Sequence, residues 1–256
     1  MKLSKRLTAI EALITTDYTH IWDTCCDHGH LGASLIAHQQ APNIHLVDIV
    51  PDLIAQLDTR LTRLFANPYS SQQLAPSQQL ASTHWQTHCL DISKLPLQQY
   101  PGRHLIIIAG IGGDLMIQCM RQIISDNPAL EIDFILCPVR HLHTLRQQLI
   151  ELNMSLEKEV LVKENKIFYE ILLLSTASVS SSLSDSLPSK QPKPLKPVSP
   201  IGEAIWQGKT DKEKNEAQEY LDIKIQHYLK MQRGVNNPEV NKIIQAYQDM
   251  TIETSS

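Results

Sequence analysis

The stretch Asp23-Thr24-Cys25-Cys26-Asp27-His28-Gly29 sits where a first buried β-strand is predicted to turn into a helix. In open α/β sheets that strand-to-helix turn is where nucleotide-like ligands bind. Two further acids stand at equivalent places: Asp48 ends a second predicted strand about 25 residues after Asp23, and Asp91 follows a third. A carboxylate at the second strand end accepts both hydroxyls of a ribose, and one at the third is placed to accept an adenine amino group. A fourth exit, Leu105-Ile106-Ile107-Ile108-Ala109-Gly110-Ile111-Gly112-Gly113-Asp114, is an apolar run that ends in a Gly cluster and restarts as a helix. Taken singly, a loop Asp is more often a turn or cap residue than a ligand, and Asp91 or Ser93 is placed to begin a helix. Three acids at three successive strand ends point instead to one cofactor crevice.

The dinucleotide fingerprint needs three Gly residues so that a pyrophosphate can approach bare backbone. Here Gly29 alone is present, with Asp27 close by. A carboxylate repels a pyrophosphate but accepts a hydrogen bond from the ammonium of a methionine moiety. The residues therefore favour S-adenosylmethionine over a nicotinamide or flavin. A metal reading competes, because Cys25, Cys26, His28 and His30 are crowded and His84, His88 and Cys89 follow later. Zinc needs about four convergent ligands, and adjacent Cys25 and Cys26 at a strand exit point to opposite sides. No metal is expected, and for each His a capped or partly buried imidazole is the stronger reading.

The elements that must position these residues follow from periodicity. Leu3, Leu7, Ile10, Leu13 and Ile14 share one helical face, with Ser4 placed to cap it. Strands are predicted at 20–24, 44–49, 84–88, 105–109 and 134–137, and helices at 31–39, 52–66, 113–125 and 142–152. That alternation specifies an α/β fold, a mostly parallel sheet with helices on both faces. Apolar runs at 156–162 and 167–174 are separated only by Lys163-Glu164-Asn165-Lys166, too short for a parallel crossover, so they form an antiparallel hairpin at the sheet edge. Segment 69–82, with its repeated Ser-Gln-Gln, reads as a solvent-exposed insertion.

Residues 176–200, Ser-rich and then Lys-Pro-rich, read as a linker. It divides a domain at 1–175 from a small C-terminal helical appendage at 201–256. In the appendage, Ala217, Tyr220, Leu221, Ile225, Tyr228 and Leu229 form the narrow seam of a helical hairpin or coiled coil over 211–232. Gly234, Asn236, Asn237 and Pro238 break it, and 239–250 restarts as a helix. The seam can pair within one chain or between two, so monomer and homodimer both stay open.

With 256 residues, 42% of them hydrophobic, the chain can build a proper core. No stretch approaches the roughly 20 consecutive apolar residues of a membrane span, and the N-terminus runs into an amphipathic helix rather than an apolar signal core. Five cysteines, an odd number with two adjacent, do not form a disulfide framework. Reduced thiols and a cytoplasmic location are expected. A formal net charge of -4 argues against coating nucleic acid by bulk charge. It leaves room for a local basic patch, for which Lys2, Lys5 and Arg6, and Arg140 with Arg146, are the groupings near the expected site. Each taken singly is more simply a solvated helix face.

In these features the chain resembles the bacterial tRNA (adenine(22)-N(1))-methyltransferase family, a class I S-adenosylmethionine-dependent group with a Rossmann-like sheet. Lys2-Leu3-Ser4-Lys5-Arg6-Leu7 resembles its N-terminal signature, residues 23–31 its cofactor motif and residues 108–113 its Gly-rich strand exit. Phe168-Tyr169-Glu170-Ile171-Leu172 resembles its final strand, and Ser199-Pro200-Ile201-Gly202 the lead into its C-terminal coiled coil. The resemblance implies a methyl donor bound by Asp23, Asp48 and Asp91, with Cys25 in the cofactor turn and Gly29 and Gly110 close to the donor. It implies that Asp27 and His28 are catalytic, Asp27 orienting the adenine amino group and His28 holding Asp27 or the target ribose. Gly112 and Gly113 would face the acceptor, Tyr169 or Trp85 would offer a stacking face, and Lys2, Lys5, Arg6 and Arg140 would meet the tRNA backbone, with the C-terminal helices gripping a second part of the tRNA.

Two positions depart from the family pattern. It has Gly where this chain has Cys25, and Gln-Pro-Asn where this chain has Cys137-Pro138-Val139. Either the turn at Cys25 avoids positive φ, or it tolerates a small side chain there. The expected activity is methylation of N1 of adenine 22 in tRNA. The alternatives are a methyltransferase for another RNA position or a protein, and a non-catalytic binding protein that keeps the fold.

Overall fold

Strands β1 (His20–Thr24), β4 (His104–Ala109) and β5 (Ile132–Cys137) are buried along both faces, as the middle strands of a helix-covered parallel sheet must be. In the computed structural model, which describes residues 3–15, 17–65, 83–176, 196–234 and 237–252, they join β2 (Asn43–Asp48), β3 (His84–Cys89), β6 (Ser155–Glu164) and β7 (Ile167–Ser175). The seven-stranded sheet has the order β3-β2-β1-β4-β5-β7-β6. Pairs among β1 to β5 are parallel, whereas β7 runs antiparallel to β5 and β6. The predicted insertion 69–82, linker residues 177–195 and Lys2 lie outside the described residues.

Alternate side chains along each strand divide into two cores. Trp22, Ile106, Ile108, Phe134 and Leu136 face α4 (Gly113–Asp126) and α5 (Leu142–Glu151), where Met116, Met120, Leu145 and Leu149 meet them. Ile21, Ile44, Leu46, Leu105 and Ile107 face α1 (Lys5–Ala12), α2 (His30–Ala37) and α3 (Pro51–Phe65). Ser4 caps α1, its Oγ accepting from Leu7 N at 3.3 Å. The hairpin closes more tightly than its apolar runs suggested. Asn165 and Lys166 both have positive φ, the two-residue turn that matches strand twist, so the polar Lys163 and Glu164 pair within the ladder.

Helices α6 (Asp211–Gly234) and α7 (Pro238–Gln248) form a hairpin whose apolar seam is filled within the chain. Tyr220, Leu221 and Tyr228 pack with Val240, Ile244 and Tyr247, and also with Trp206, Leu161 and Phe168. Composition assigned 196–200 to the linker, yet this stretch is built onto β6: Leu156 N donates to Lys196 O at 2.7 Å, Pro197 bridges Ser155 and Val198 is buried.

Between β3 and β4 the connection carries two short 3₁₀ turns, Ile92–Lys94 and Leu97–Gln99. Beneath them lies a layer of rings. Trp22 stacks on His45 with centroids 3.8 Å apart, and its Nε1 donates to His104 Nδ1 at 3.1 Å. His20 Nε2 lies 3.3 Å from the Pro101 carbonyl, which only accepts. That fixes the direction of the chain: His20 Nδ1 accepts from His45 Nε2, and His45 Nδ1 accepts from His88 Nε2, each at 3.0 Å. The chain is complete only when its rings are neutral.

Acid should therefore weaken the fold. Burial first, with neighbouring imidazoles adding, holds His45 down to about 3 and His104 to about 4. The unfolded chain takes up these protons as pH falls through about 6.5, so each ring removes about 1.4 kcal/mol of stability per pH unit below that. Asp23, raised to about 7 by burial, binds its proton first in the folded chain and returns as much as one ring removes. Between pH 6 and 4.5 the net expectation for these groups is a loss of about 1.4 kcal/mol per pH unit, measurable by urea denaturation at each pH. A flat profile would show that only one of the two rings resists protonation, and a gain in stability on acidification would show that neither does.

Candidate functional site

From β1 the chain winds out to β2 and β3 and returns to β4 on the other side, so the C-terminal ends of β1 and β4 flank the switch point of the sheet. The β1–α2 turn lies there. Cys25, Asp27 and Gly29 all have positive φ, at 54°, 47° and 59°. Cys26 N donates to Val47 O at 3.1 Å, and Gly29 N to Cys26 O at 2.6 Å. Of the two expectations for Cys25, avoidance of positive φ fails: the turn keeps its left-handed backbone and accommodates the small side chain. Such a residue costs about 1–2 kcal/mol, which the surrounding hydrogen bonds offset. Cys25 packs against the α4 side of the sheet and Cys26 against the α2 side, so the adjacent thiols do point to opposite sides. Burial raises Cys25 to about 12, and it is a neutral thiol.

The three acids are tied into this frame. Asp23 is buried, and its Oδ2 accepts from Gly32 N at 2.8 Å. Burial pushes it up to about 7, the Gly32 bond opposing and the Asp48 charge adding. Asp48 accepts from Asp27 N through Oδ2 and from Val50 N through Oδ1, each at 3.1 Å, so the second strand end locks the catalytic-loop candidate in place. Each of those oxygens has a further lone pair. Asp91 caps the 3₁₀ turn at Ile92–Lys94, its Oδ1 accepting from Ser93 N and Oγ at 2.8 Å. Those bonds hold its carboxyl below the usual range. Capping and a place in the cavity wall coexist.

Two cavities open over the switch point. One of about 360 Å³ is lined by Asp23, Asp27, His28, Gly110, Val139 and Arg6 among others. The other, about 230 Å³, is lined by Asp48, Asp91, Ile49, Leu90, Leu115 and Cys119 among others. Cys25 and Ile111 line both and form the partition. Gly110 has φ 88°, and a Cβ added there would meet nothing within 4 Å. His28 Nε2 lies 3.7 Å from Asp27 Oδ1, both side chains largely exposed.

Of the other expected residues, Arg6 is in the wall of the first cavity, and the rest fall outside both. A Cβ on Gly29 would stand 2.4 Å from Leu57 Cδ1, so this glycine serves the close approach of α3. Gly112 and Gly113 line neither cavity; they lie under Arg140 and His141, and a Cβ on Gly113 would be 2.7 Å from the His141 carbonyl oxygen. Arg140 is exposed over Gly112, and Arg6 stands 5.0 Å from the centre of the Tyr169 ring. Lys5 is exposed, its backbone N–H donating to Glu164. Trp85 packs on the α3 side of the sheet, away from both cavities. Arg146 is not a basic surface group: it is 1% exposed and paired with Glu159 and Glu170. Among the described residues no group of three or more His, Cys, Asp or Glu is arranged to hold a metal ion.

Sequence reasoning missed a third concavity, about 540 Å³, between Asp27-His28 and the face of α3 carrying Leu53, Gln56, Arg60 and Arg63. Only the i,i+3 spacing of the two arginines signalled it, and that spacing also describes a solvated helix face. The apolar slot Ile49, Leu90 and Leu115 was also missed, although 65% of Ile49 and 51% of Leu115 stay exposed at its mouth.

A family model described as a methyltransferase domain matches residues 3–172, more than half of the chain. The chain belongs to that methyltransferase-domain family. The match ends within β7, so the family domain comprises the sheet, α1 to α5 and both cavities, and leaves α6 and α7 outside it. No curated protein sequence matches the chain. Among solved structures, an uncharacterized protein from Listeria monocytogenes superposes with TM-score 0.69 at 17% identity, covering 97% of this chain and 99% of that one. The M. capricolum TrmK in complex with S-adenosyl-homocysteine gives 0.64 at 16%, covering 97% and 96%. The Streptococcus pneumoniae protein Sp1610, a putative tRNA (m1A22) methyltransferase, in complex with S-adenosyl-L-methionine gives 0.60 at 16%, covering 97% and 99%. What these likenesses share with the methyltransferase domain described here is the fold, including the C-terminal helices. Among the described residues no helix is long and apolar enough to cross a membrane.

Proposed function

We propose that this methyltransferase binds S-adenosylmethionine and methylates N1 of adenine 22 in tRNA. The observation that carries the reading is the divided crevice, with a buried acid, Asp23, at one end and an apolar slot closed by Asp48 and Asp91 at the other. That arrangement matches the order of groups along the donor: ammonium, sulfonium, ribose diol, flat base. Asp23 would hold the ammonium, Asp48 the ribose hydroxyls, and Asp91 with Ile49 and Leu115 the adenine ring. Gly110 leaves open space where a side chain would block the donor. The acceptor is taken from neighbouring folds: the B. subtilis TrmK is an m1A22 tRNA methyltransferase, and the Streptococcus pneumoniae fold holds S-adenosyl-L-methionine.

Bound S-adenosylmethionine supplies a methyl group on a sulfonium: the adenine N1 lone pair forms the new N–C bond, the S–C electron pair stays on sulfur, and positive charge passes to the base. The protein needs no strong base for this. Asp27, at the wall of the cavity that holds Asp23, would accept from the adenine amino group and stabilise the cationic product. His28 beside it would hold Asp27 or the target ribose. An adenine paired through N1 must be unpaired or flipped out to reach this wall. Cytoplasmic location follows from the substrate, and Lys5, Arg6 and Arg140 are the proposed contacts to the tRNA backbone.

The test is transfer of label from S-adenosylmethionine to unmodified bacterial tRNA, followed by digestion and mass spectrometry. The expected product is 1-methyladenosine mapped to position 22. Cofactor binding without transfer to any tRNA would assign a different acceptor and overturn the tRNA reading, and absence of cofactor binding would leave a non-catalytic fold.

A further inference from the structure

We propose that Arg60 and Arg63 form a phosphate-binding arm of the acceptor site, gripping the RNA backbone on the far side of His28 from the target base. The inference rests on the tRNA reading above and adds residues and a direction to it. Asp27 and His28 line both the crevice beside Asp23 and the groove against α3. They are thus a shared wall: a base entering the crevice leaves its own sugar and phosphate beside the groove. Arg60 and Arg63 stand three apart on α3 and both line that groove.

Their charge is not spent inside the protein. Arg60 Nη2 donates to the His28 carbonyl, a neutral partner. Arg60 Nε is buried, and among the described residues it has no hydrogen-bond partner. The ion pairs among the described residues use Arg103, Arg121 and Arg146 rather than either of these two. Among the described residues Asp27 is the single carboxylate in the groove lining, against two guanidiniums. On a chain of net charge -4 that local excess selects an anion, and a guanidinium fork matches the paired oxygens of a phosphate. The bond from Arg60 to the His28 carbonyl also ties the arm to the left-handed turn, so engagement of the backbone bears directly on the wall that faces the base.

The experiment measures binding of an unmodified tRNA transcript, with S-adenosylhomocysteine present, across a salt series for the wild type, R63Q, R60Q and the control R121Q. Each phosphate contact contributes close to one unit to the slope of log affinity against log salt. R63Q is expected to weaken binding about tenfold at low salt and to flatten the slope by about one. R60Q should do the same, and R121Q, whose guanidinium already pairs with Gln148 and Glu151, should leave the slope unchanged. S-adenosylmethionine affinity should stay at the wild-type value in R63Q, which shows that the variant is folded. A wild-type slope in R63Q, with the wild type methylating tRNA normally, would overturn the arm while leaving the tRNA reading intact. If the wild type transfers no methyl group to tRNA, that reading fails and the arm fails with it.

Discussion

Replacing Arg146 with Met is expected to lower stability by about 3–5 kcal/mol. The guanidinium is 1% exposed. It donates to Glu170 Oε2 from Nε at 3.0 Å and from Nη2 at 2.5 Å, to Glu159 Oε2 at 2.7 Å, and to the Ser199 carbonyl at 2.9 Å. The second oxygen of each acid is also occupied. Glu170 Oε1 accepts from the Tyr220 hydroxyl at 2.8 Å, and Glu159 Oε1 from the backbone N–H groups of Glu203 and Ala204 at 2.6 and 2.7 Å. One side chain on α5 thus ties together β6, β7, the segment leading into the appendage, and α6. Burial would raise Glu159, but Arg146 overcomes it and holds that carboxyl below its ordinary range. Met fills the volume and leaves two carboxylates buried without a cation, which costs far more than the pair contributes when intact. Urea denaturation of the variant tests this, and the companion triple variant with Glu159→Gln and Glu170→Gln should recover part of the loss. A loss under about 1 kcal/mol would mean that water reaches the acids once the arginine is gone.

What the sequence exposes and what it hides separate on physical grounds. The parallel strands were legible because β1, β4 and β5 are buried on both faces and so read as continuous apolar runs or strand-like stretches between helical periods. Asp23, Asp48 and Asp91 were legible because a strand end is a place that the local pattern defines. Arg146 was not, since its partners lie 13 and 24 residues away on a hairpin and nothing local distinguishes it from Arg140, which is exposed. The ring layer was hidden for the same reason. His20 meets His104 and Trp22 meets His45 through strand register, a property of pairing rather than of any one segment. Cys25 shows a different limit: the rule that positive φ wants glycine is a cost of about 1–2 kcal/mol, and a well-bonded turn carries that cost. Gly113 shows a second demand on a loop glycine: whatever it faces, a Cβ there would stand 2.7 Å from the His141 carbonyl oxygen.

At the candidate site the largest effect is expected from Asp27→Asn, a fall in the methyl-transfer rate of about 10²- to 10³-fold with S-adenosylmethionine affinity held within twofold. Asparagine is the informative substitution because residue 27 has φ 47°, and Asn tolerates left-handed backbone best among non-glycine residues. The N–H of residue 27 can still donate to Asp48, so the turn and the cofactor side stay in place. Only the negative charge on the acceptor side is lost. In the proposed reaction that charge would matter more in the transition state than in the ground state, because adenine is neutral when bound and cationic once N1 is methylated, and such differential interactions lower the barrier. Single-turnover kinetics with tRNA, run beside calorimetric titration of the cofactor, separates the outcomes. A slow rate with intact cofactor binding places Asp27 at the reacting base. An unchanged rate would leave Asp27 as a structural link to Asp48 and move charge stabilisation to another group, whereas lost cofactor binding would show that the carboxylate holds the turn itself.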